Sequence, residues 1–386
     1  MRIVIIGAYA ESLINFRGDL VKALVSQGHD VVAMAAPCGD SFHGRIETLG
    51  ATYCSYLVQR NGTSPLQDLK TLFSLRKGIN EFHPDIVLAY TIKPVIWGGL
   101  AFRFSRSNGR FFALITGLGL AFQPGGTKQR LLTGIVTFLY RVALKKAEKV
   151  IFQNEENRQV FVDLKIVNHE RTTLVNGSGV NLEHFSELPL PEGRVTFLTI
   201  SRLLGDKGLR ELECASLSLR KELASAEVNL LGPDDPSPDG ISLAEVQSWC
   251  DNGALNYLGS AADVRPHIAN CHVYVLPSYH EGMPRTVLEA MAAGRPIITT
   301  DVPGCRETVP LTQKGKAQKE RGEFVMEGEN GFLVQVKNAD ALALAMKRFI
   351  DDPALIRSMG KSSREIAEKK YDVHKVNAVM IEAMGL

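Results

Sequence analysis

The sequence lacks the features that mark membrane-spanning, metal-clustered or disulfide-rich proteins. No run of about 18 apolar residues occurs, which is roughly the length that a spanning helix needs, so no such helix is predicted. No C-x-x-C pair occurs either, which argues against a zinc site or a disulfide framework and favours cysteines that are small buried apolar residues. The cysteines are Cys38, Cys54, Cys214, Cys250, Cys271 and Cys305.

Two further sequence features are absent, and each absence disfavours a class of protein. No G-x-G-x-x-G follows a predicted strand, which disfavours a dehydrogenase. The nearest candidates, Gly117, Gly119, Gly125 and Gly126, have the wrong spacing. Only Arg2 precedes the short apolar run at the amino terminus, so residues 2–7 are interpreted as a buried first strand rather than a secretory signal. The expected location is therefore the cytoplasm.

Length and composition predict an ordinary two-domain globular protein. The chain has 386 residues, which exceeds what one hydrophobic core usually serves. Of these residues 45% are hydrophobic and 22% are charged. The segment 182–194 contains two prolines and no apolar periodicity, as expected of a linker. We predict domains at residues 1–187 and 188–369.

The basic residues are concentrated in the first half of the chain. Residues 1–185 contain 21 Lys and Arg against 14 Asp and Glu, a net charge of +7, whereas the remainder has 23 against 28, a net charge of −5. Many of the cations flank a helical apolar stripe, which consists of Leu131, Leu132, Ile135, Phe138, Leu139 and Val142. Such a helix suits either an anionic membrane surface or the domain core. No aromatic-interleaved basic patch is present, so no nucleic acid partner is predicted.

Short aliphatic runs alternate with helical periods in both halves, which predicts the α/β class with parallel sheets covered on both faces. The predicted strands of the first half are residues 2–6, 30–35, 86–89, 111–115 and 149–152. Those of the second half are residues 195–201, 228–232, 255–258, 273–277 and 297–300. A helical stretch over residues 340–386 ends the chain.

The most informative segment is HEGMPRTVLE, residues 280–289, which places Glu281 and Glu289 eight positions apart around a predicted helix start. Amide groups at a helix start attract anions, while the two carboxylates can accept hydrogen bonds from hydroxyl groups. Phosphates flanked by hydroxyl groups describe a nucleotide sugar. The alternative is a surface helix with one solvated glutamate and one capping carboxylate.

A second segment, ISRLLGDKGLRE at 200–211, places Arg202 and Lys207 between a predicted strand and a helix. Cations at the carboxyl end of a parallel strand suit an anionic ligand, although two solvated surface cations would give the same pattern. Asp234 and Asp235 could form a metal-binding pair, but adjacent aspartates are usually turn formers. No metal is expected, because Arg202, Lys207 and the helix start already supply positive potential for a leaving diphosphate.

These motifs resemble those of the retaining glycosyltransferases of family four, which have the GT-B architecture of two Rossmann-like domains facing across a cleft. EGMPRTVLEAMAAGRPI matches the donor signature of that family at nearly every position, and Arg202 and Lys207 match its G-R-x-x-x-x-K-G, with Ser201 replacing the first glycine. The resemblance covers nearly the whole chain and implies that a final helix, at about residues 370–386, crosses back to the first domain. It is closest to bacterial N-acetylgalactosaminyltransferases that act on polyprenyl-diphosphate-linked sugars and to related O-antigen enzymes.

The resemblance implies a role for each matching residue. Glu281, Arg202 and Lys207 would be catalytic, with Glu281 accepting hydrogen bonds from the donor sugar. Glu289 would hold the ribose. The expected fold geometry, rather than the resemblance, adds further donor contacts. The strand-end loops at Gly232 and Gly259 are candidates to cradle the base, and backbone groups near the sugar and phosphates would come from Gly282, Met283, Pro284, Arg285 and Thr286. The acceptor side would comprise Asn15 and Arg17, expected on the loop after the first strand, Lys93, expected at the end of a strand, and Thr116, Gly117 and Gly119, expected in a Gly-rich turn after another strand.

One departure concerns the catalytic base. Many family members carry a histidine after the fourth amino-terminal strand, where this chain has residues 116–119, TGLG. The departing diphosphate is thought to accept the acceptor's proton on the same face in this architecture, so a dedicated base is not required. His280 is either such a base or a structural residue.

The resemblance therefore predicts transfer of a hexose or N-acetylhexosamine from a UDP-sugar to a polyprenyl-diphosphate-linked saccharide, with an α-linkage formed at the cytoplasmic face of the inner membrane. No cofactor is implied. The alternatives are a nucleotide-sugar 2-epimerase and a non-catalytic subunit that binds nucleotide sugars.

Overall fold

The computed structural model of the chain divides into two compact units. Unit 1 comprises Met1–Ser178 and Val373–Leu386, and unit 2 comprises Gly179–Asp372. The structure describes residues 1–59, 64–122, 125–219 and 226–386, and for residues 40, 41 and 120 it describes the backbone alone. The predicted α/β class is confirmed, because each unit is built on a parallel-dominated sheet with helices on both faces.

Unit 1 contains a parallel sheet with the strand order β3-β2-β1-β4-β5-β6-β7. Its strands are β1 Arg2–Ile6, β2 Asp30–Ala35, β3 Thr52–Ser55, β4 Ile86–Tyr90, β5 Arg110–Ile115, β6 Ala147–Phe152 and β7 Thr172–Leu174. Its first six helices are α1 Ala10–Ser26, α2 Asp40–Glu47, α3 Pro65–Phe82, α4 Ile92–Arg103, α5 Thr127–Ala143 and α6 Glu155–Asp163. After their first residue, the central strands β1, β4 and β5 are apolar and buried, because both faces of the sheet are covered.

Unit 2 repeats this plan with the strand order β10-β9-β8-β11-β12-β14-β13, in which only the β13–β14 pair is antiparallel among the described residues. Its strands are β8 Val195–Ile200, β9 Ala226–Leu231, β10 Asn256–Tyr257, β11 Val273–Leu276, β12 Ile297–Thr300, β13 Val325–Glu327 and β14 Gly331–Val334. Its helices are α7 Leu209–Ser218, α8 Leu243–Asp251, α9 Arg265–Ala269, α10 Arg285–Ala292, α11 Gln313–Glu320, α12 Ala339–Asp351 and α13 Ala354–Ile366.

The helical stretch predicted over residues 340–386 consists of several separate helices. Helices α12 and α13 are followed by a π-helical turn, Ala367–Tyr371, and by α14, Val373–Ala383. Helix α14 belongs to unit 1, where Val376 and Met380 are buried in the core with α1.

The boundaries of the units differ from the predicted positions 187 and 369. Residues 179–187 lie in unit 2, because Val180 forms a β-bridge with Asp372 and Phe185 is buried in the core of that unit. Proline content and lost periodicity indicate that a chain segment is irregular. They do not indicate the unit against which it packs.

Candidate functional site

The strand order of unit 2 reverses between β8 and β11. Strands β9 and β10 extend the sheet from one side of β8, while β11 and β12 extend it from the other. Open parallel sheets bind ligands outside the carboxyl ends of their strands at such a reversal. The two motif segments of the sequence follow these two strands, so their loops lie next to each other.

Lys207 and Glu281 meet at this point. The Lys207 ammonium nitrogen Nζ lies 2.7 Å from Glu281 Oε1, and both side chains are largely buried. Burial lowers the pKa of Lys207, but the charge and hydrogen bond of Glu281 together with nearby Asp206 outweigh it and raise the pKa above its ordinary value. Lys207 therefore stays charged, which suits it for binding a diphosphate.

Several hydrogen bonds fasten the two loops to each other. The Tyr279 amide donates to the Asp206 carbonyl oxygen at 2.8 Å, and the Ser278 hydroxyl donates to the same oxygen at 3.3 Å. The buried Tyr274 hydroxyl lies 2.6 Å from Thr286 Oγ1 and 3.1 Å from the carbonyl oxygen of Ile200. The start of α10 is thus tied to the end of β8 through side chains that sequence reasoning had not paired.

Gly304, which the sequence analysis did not select, lies directly against the loop that carries Glu281. Its φ of +82° is a conformation that L residues rarely adopt. A Cβ atom at this position would lie 2.6 Å from the carbonyl oxygens of both Glu281 and Gly282. A glycine at 304 therefore allows the segment after β12 to approach the backbone of the candidate donor loop.

Arg202 lies at the same end of the sheet but has a different partner. Its guanidinium forms an ion pair with the Asp235 carboxylate, and the Arg202 side chain remains about half exposed. Burial raises the pKa of Asp235, but the hydrogen bonds from Ser237 and Arg202 outweigh it and lower the pKa below its ordinary value. Asp235 also accepts a hydrogen bond from the Ser237 amide at 3.0 Å, so the turn-former interpretation of this aspartate is correct but incomplete.

Glu289 lies in the second turn of α10 and is 5% exposed. Its Oε1 accepts from Arg285 Nε at 2.8 Å, one helical turn earlier. Burial raises the pKa of Glu289, and the charge of Arg285 offsets this effect in part. Arg285 thus orients one carboxylate oxygen. Met283 and Pro284 complete the turn before α10, and Met283 packs against the core of unit 2.

Gly232 and Gly259 follow β9 and β10 at the same carboxyl edge. The Gly232 amide donates to the Gly259 carbonyl oxygen at 2.8 Å, and the Tyr257 hydroxyl donates to the Gly232 carbonyl oxygen at 2.9 Å. A Cβ atom at Gly232 would lie 1.8 Å from the Ser201 carbonyl oxygen, so this position excludes larger residues. The two glycines form one hydrogen-bonded edge next to the loop that carries Arg202.

In unit 1, Asn15 and Arg17 lie within α1 rather than on a loop, as the sequence had suggested. Buried apolar residues at helical spacing, including Leu13 and Leu20, place this segment in the helix. Asn15 is exposed. Arg17 is buried, and its Nη1 donates to the Ser178 hydroxyl at 3.1 Å while its guanidinium lies over the Tyr90 ring.

Lys93 lies in the first turn of α4, whereas the sequence had placed it at a strand end. Its Nζ donates to Asp68 Oδ1 at 2.9 Å, and both side chains are mostly buried. The start of α4 is therefore joined to the start of α3 by an ion pair between residues 25 positions apart.

Thr116, Gly117 and Gly119 form the loop after β5, as predicted. Gly119 has a φ of +65°, and a Cβ atom there would lie 2.6 Å from Ile92 Cδ1. The loop therefore packs beside the start of α4. It lies at the same end of the unit 1 sheet as Lys93.

The apolar stripe of α5 is divided between the core and the exposed surface of unit 1. Leu139 and Val142 pack against the core of unit 1, whereas Leu131, Ile135 and Phe138 are exposed. Within the described residues, no helix is both long and apolar enough to cross a membrane.

The titratable groups beside the Lys207–Glu281 pair do not form a metal-binding cluster. In the part of the chain that the structure describes, no three His, Cys, Asp or Glu side chains are arranged to hold a metal ion. His280 Nε2 lies 3.5 Å from Asp206 Oδ2 on the flank of the pair. The Cys305 thiol is fully buried, and burial raises its pKa to about 12.

Both halves of the chain match known protein families. Residues 8–154 match the family described as "Glycosyl transferase 4-like", and residues 194–352 match "Glycosyl transferases group 1". The two matches together cover well over half of the sequence. The first falls within unit 1 and the second within unit 2.

Individual relatives are similar over most of their length. The chain is 28% identical to the N,N'-diacetylbacillosaminyl-diphospho-undecaprenol α-1,3-N-acetylgalactosaminyltransferase of Campylobacter jejuni, over 89% of this chain and 94% of the relative. It is 25% identical to the UDP-Gal:α-D-GlcNAc-diphosphoundecaprenol α-1,3-galactosyltransferase of Escherichia coli, over 81% and 78% of the two chains. The fold matches that of Anabaena HepE, crystallised with UDP-glucose, with a TM-score of 0.76, 18% identity and coverage of 100% and 99%.

Proposed function

We propose that this chain, which belongs to the glycosyltransferases, transfers a sugar from a UDP-sugar to a polyprenyl-diphosphate-linked saccharide. Its first half matches the glycosyl transferase 4-like family and its second half matches the glycosyl transferases of group 1. The transferred sugar is a hexose or N-acetylhexosamine, with N-acetylgalactosamine or N-acetylglucosamine favoured. The new bond is α-glycosidic. The named acceptors of the Campylobacter and Escherichia relatives and the UDP-glucose bound by HepE support this choice of substrates.

One observation carries the proposal, the Lys207–Glu281 pair at the strand-order reversal of unit 2. Lys207 has three ammonium protons and uses one toward Glu281, so the others can bind the donor diphosphate. Glu281 has a second carboxylate oxygen, which can accept a hydrogen bond from a sugar hydroxyl. The pair thus spans the bond that breaks, with a cation at the leaving group and an acceptor at the sugar.

Arg202 and the amides at the start of α10 add positive potential to the leaving diphosphate. Glu289, oriented by Arg285, accepts from the ribose, while the edge formed by Gly232 and Gly259 lies against the base. The acceptor hydroxyl oxygen attacks the anomeric carbon as the bond to the diphosphate breaks on the same face. The diphosphate takes the hydroxyl proton, and no protein base is required.

Unit 1 supplies the acceptor contacts in this proposal, namely Asn15, Arg17, Lys93, Thr116, Gly117 and Gly119. Helix α5 faces an anionic membrane at the cytoplasmic face, where a polyprenyl-linked acceptor is located. Its apolar residues Leu131, Ile135 and Phe138 are exposed. Residues 127–146 contain five basic residues and no acidic one, so this surface attracts anionic lipid headgroups.

A panel of radiolabelled UDP-sugars offered with membrane extracts that contain polyprenyl-linked saccharides tests the proposed function. We expect label from one donor to enter the lipid phase. Isomerisation of the donor without an acceptor would identify an epimerase instead. Donor binding without turnover across all acceptors would identify a non-catalytic subunit.

The Gly304→Ala variant is expected to lower the turnover of that reaction at least about tenfold, because a new Cβ displaces the backbone of Glu281 and Gly282 and misplaces the carboxylate. Gly322→Ala is the matched control, since Gly322 also has a positive φ, +70°, but a Cβ there meets no atom within 4 Å. Each variant should lose about 1 kcal/mol of stability from the positive φ, and Gly304→Ala should lose more because its Cβ also displaces backbone. Equal turnover in the two variants would show that Gly304 does not position the loop.

A further inference from the structure

Helix α3 presents an apolar stripe that the core of unit 1 does not use. Leu66, Leu69 and Phe73 are 75%, 45% and 56% exposed. Their spacing of three and four residues places them on one face of the helix. Single exposed apolar residues are ordinary on protein surfaces, but a contiguous patch marks an interaction site.

Charge around the stripe indicates the chemistry of its partner. Lys70, Arg76 and Lys77 accompany the apolar residues on α3. Asp68, the acidic residue in the first turn of α3, is paired with Lys93, whose Nζ donates to Asp68 Oδ1 at 2.9 Å. An apolar stripe with basic neighbours suits an anionic bilayer, which accepts the apolar side chains and attracts the cations.

The position of α3 relates this stripe to the exposed stripe of α5. Buried residues of α3, α4 and α5 share one core cluster, so the three helices cover the same face of the unit 1 sheet. Helix α4 lies between the other two and packs against both. A Cβ atom at Gly99 of α4 would lie 2.7 Å from the Ala143 carbonyl oxygen of α5, which shows how closely α5 approaches.

The two helices also begin at the same end of the unit. Helix α3 follows β3 and α5 follows β5, so both start at the carboxyl edge of the parallel sheet. The Lys93–Asp68 ion pair joins the start of α3 to the start of α4 at that edge. Leu66 and Leu69 of α3 and Leu131 of α5 therefore lie in the opening turns of helices on either side of Lys93.

We propose that α3 is a second membrane contact, and that α3 and α5 together seat unit 1 on an anionic bilayer with the Lys93 end of the sheet between them. The identity of the lipid-linked acceptor rests on the proposed function, whereas the binding of unit 1 to lipid does not. The two stripes contact lipid on both sides of α4. The start of α4 is thereby held beside the headgroups, where the diphosphate of a polyprenyl-linked acceptor lies.

Cosedimentation of the full chain with vesicles tests the proposal. Vesicles of phosphatidylcholine with an increasing share of phosphatidylglycerol should bind the protein increasingly well at low salt. The variant Leu66→Ser/Phe73→Ser should partition at least about tenfold more weakly, because two exposed apolar side chains no longer enter the bilayer. The control is Leu344→Ser on α12 of unit 2, where Leu344 is 55% exposed.

Unfolding midpoints should be the same for wild type and all variants, since the replaced side chains are on the surface. Partitioning of Leu66→Ser/Phe73→Ser equal to that of wild type would overturn the proposal. The proposal would also be overturned if wild type formed a dimer in sedimentation equilibrium and the variant were monomeric with unchanged vesicle binding. The stripe would then bind a second copy of the chain.

Transfer to a short-chain, water-soluble acceptor separates this inference from the proposed function. Wild type and Leu66→Ser/Phe73→Ser should transfer equally to such an acceptor, while vesicle binding differs between them. Absence of transfer in both proteins would contradict the proposed function and leave the lipid surface supported. Equal transfer together with equal vesicle binding would support the proposed function and contradict the membrane contact of α3.

Discussion

The Lys207→Ala variant is expected to lower the turnover of sugar transfer at least about 100-fold, because the negative charge that develops on the departing diphosphate loses its nearest buried cation. Glu281→Ala should have an effect of similar size, since the donor sugar loses a hydrogen-bond acceptor and Lys207 loses the carboxylate that orients it at 2.7 Å. Single-turnover kinetics with saturating donor would report the chemical step in each variant.

Lys314→Ala is the matched control for these variants. Lys314 forms an ion pair of similar length, 2.6 Å, with Glu327, but the Lys314 side chain is 59% exposed and lies on α11, away from the strand-order reversal. Surface pairs of this kind contribute little to stability, about 0 to 1 kcal/mol, and this one should not affect turnover. Kinetics that are unchanged in both Lys207→Ala and Glu281→Ala would defeat the assignment of the pair.

Coupling between the two residues can be measured with the double variant. If Lys207 and Glu281 act as a unit, the double variant should be little slower than either single variant, because removing one partner already disables the other. Strictly additive losses would show that the two side chains act independently. Thermal unfolding of all three proteins would establish that each remains folded during the assay.

The second large effect concerns stability. Arg295→Met is expected to lower the free energy of unfolding by about 3 to 5 kcal/mol, because the buried main-chain carbonyl groups around residue 295 would lose the hydrogen bonds that the fully buried guanidinium donates. Burial lowers the pKa of Arg295, yet the group is held by donation to five main-chain oxygens. These are the carbonyl oxygens of Leu188, Pro189, Ile268, Ala269 and Ala293, at 2.9 to 3.2 Å.

Chemical denaturation monitored by tryptophan fluorescence would measure this loss. Arg357→Met provides the control, because Arg357 is exposed on α13 of the same unit and its replacement should change stability by less than about 0.5 kcal/mol. If Arg295→Met were as stable as Arg357→Met, the carbonyl cluster would not depend on the guanidinium. The segment at Leu188 and Pro189 would then be held by its apolar contacts.

Secondary structure was predictable where burial on both faces made most of a strand apolar. The predicted runs at β1, β2, β4 and β8 correspond to central strands of the two sheets. Strands β3 and β7 were missed because they lie at sheet edges, where their side chains are partly exposed and no continuous apolar run exists. Strand β14 is buried but was also missed, because its four residues, GFLV, begin with a glycine, which is depleted in strands.

The candidate site also has features that the sequence predicts and features that it does not. Sequence order selected Arg202, Lys207, Glu281 and Glu289 as candidates because their spacing matches a family pattern around a strand end and a helix start. The partners of these residues could not be found in that way. Asp235 is 33 positions from Arg202, and Gly304 is 23 positions from Glu281, so their proximity depends on which strands are neighbours.

The amino-acid order alone determined the α/β class, the two-domain plan and the side chains that could bind a diphosphate and a sugar, because each depends on local periodicity or on spacing within one loop. The tertiary structure decided which of those side chains touch, that Arg17 is buried and Lys93 paired, and that α3 exposes an apolar face. Contacts between distant segments follow from strand order and helix packing, and no short stretch of sequence contains that information.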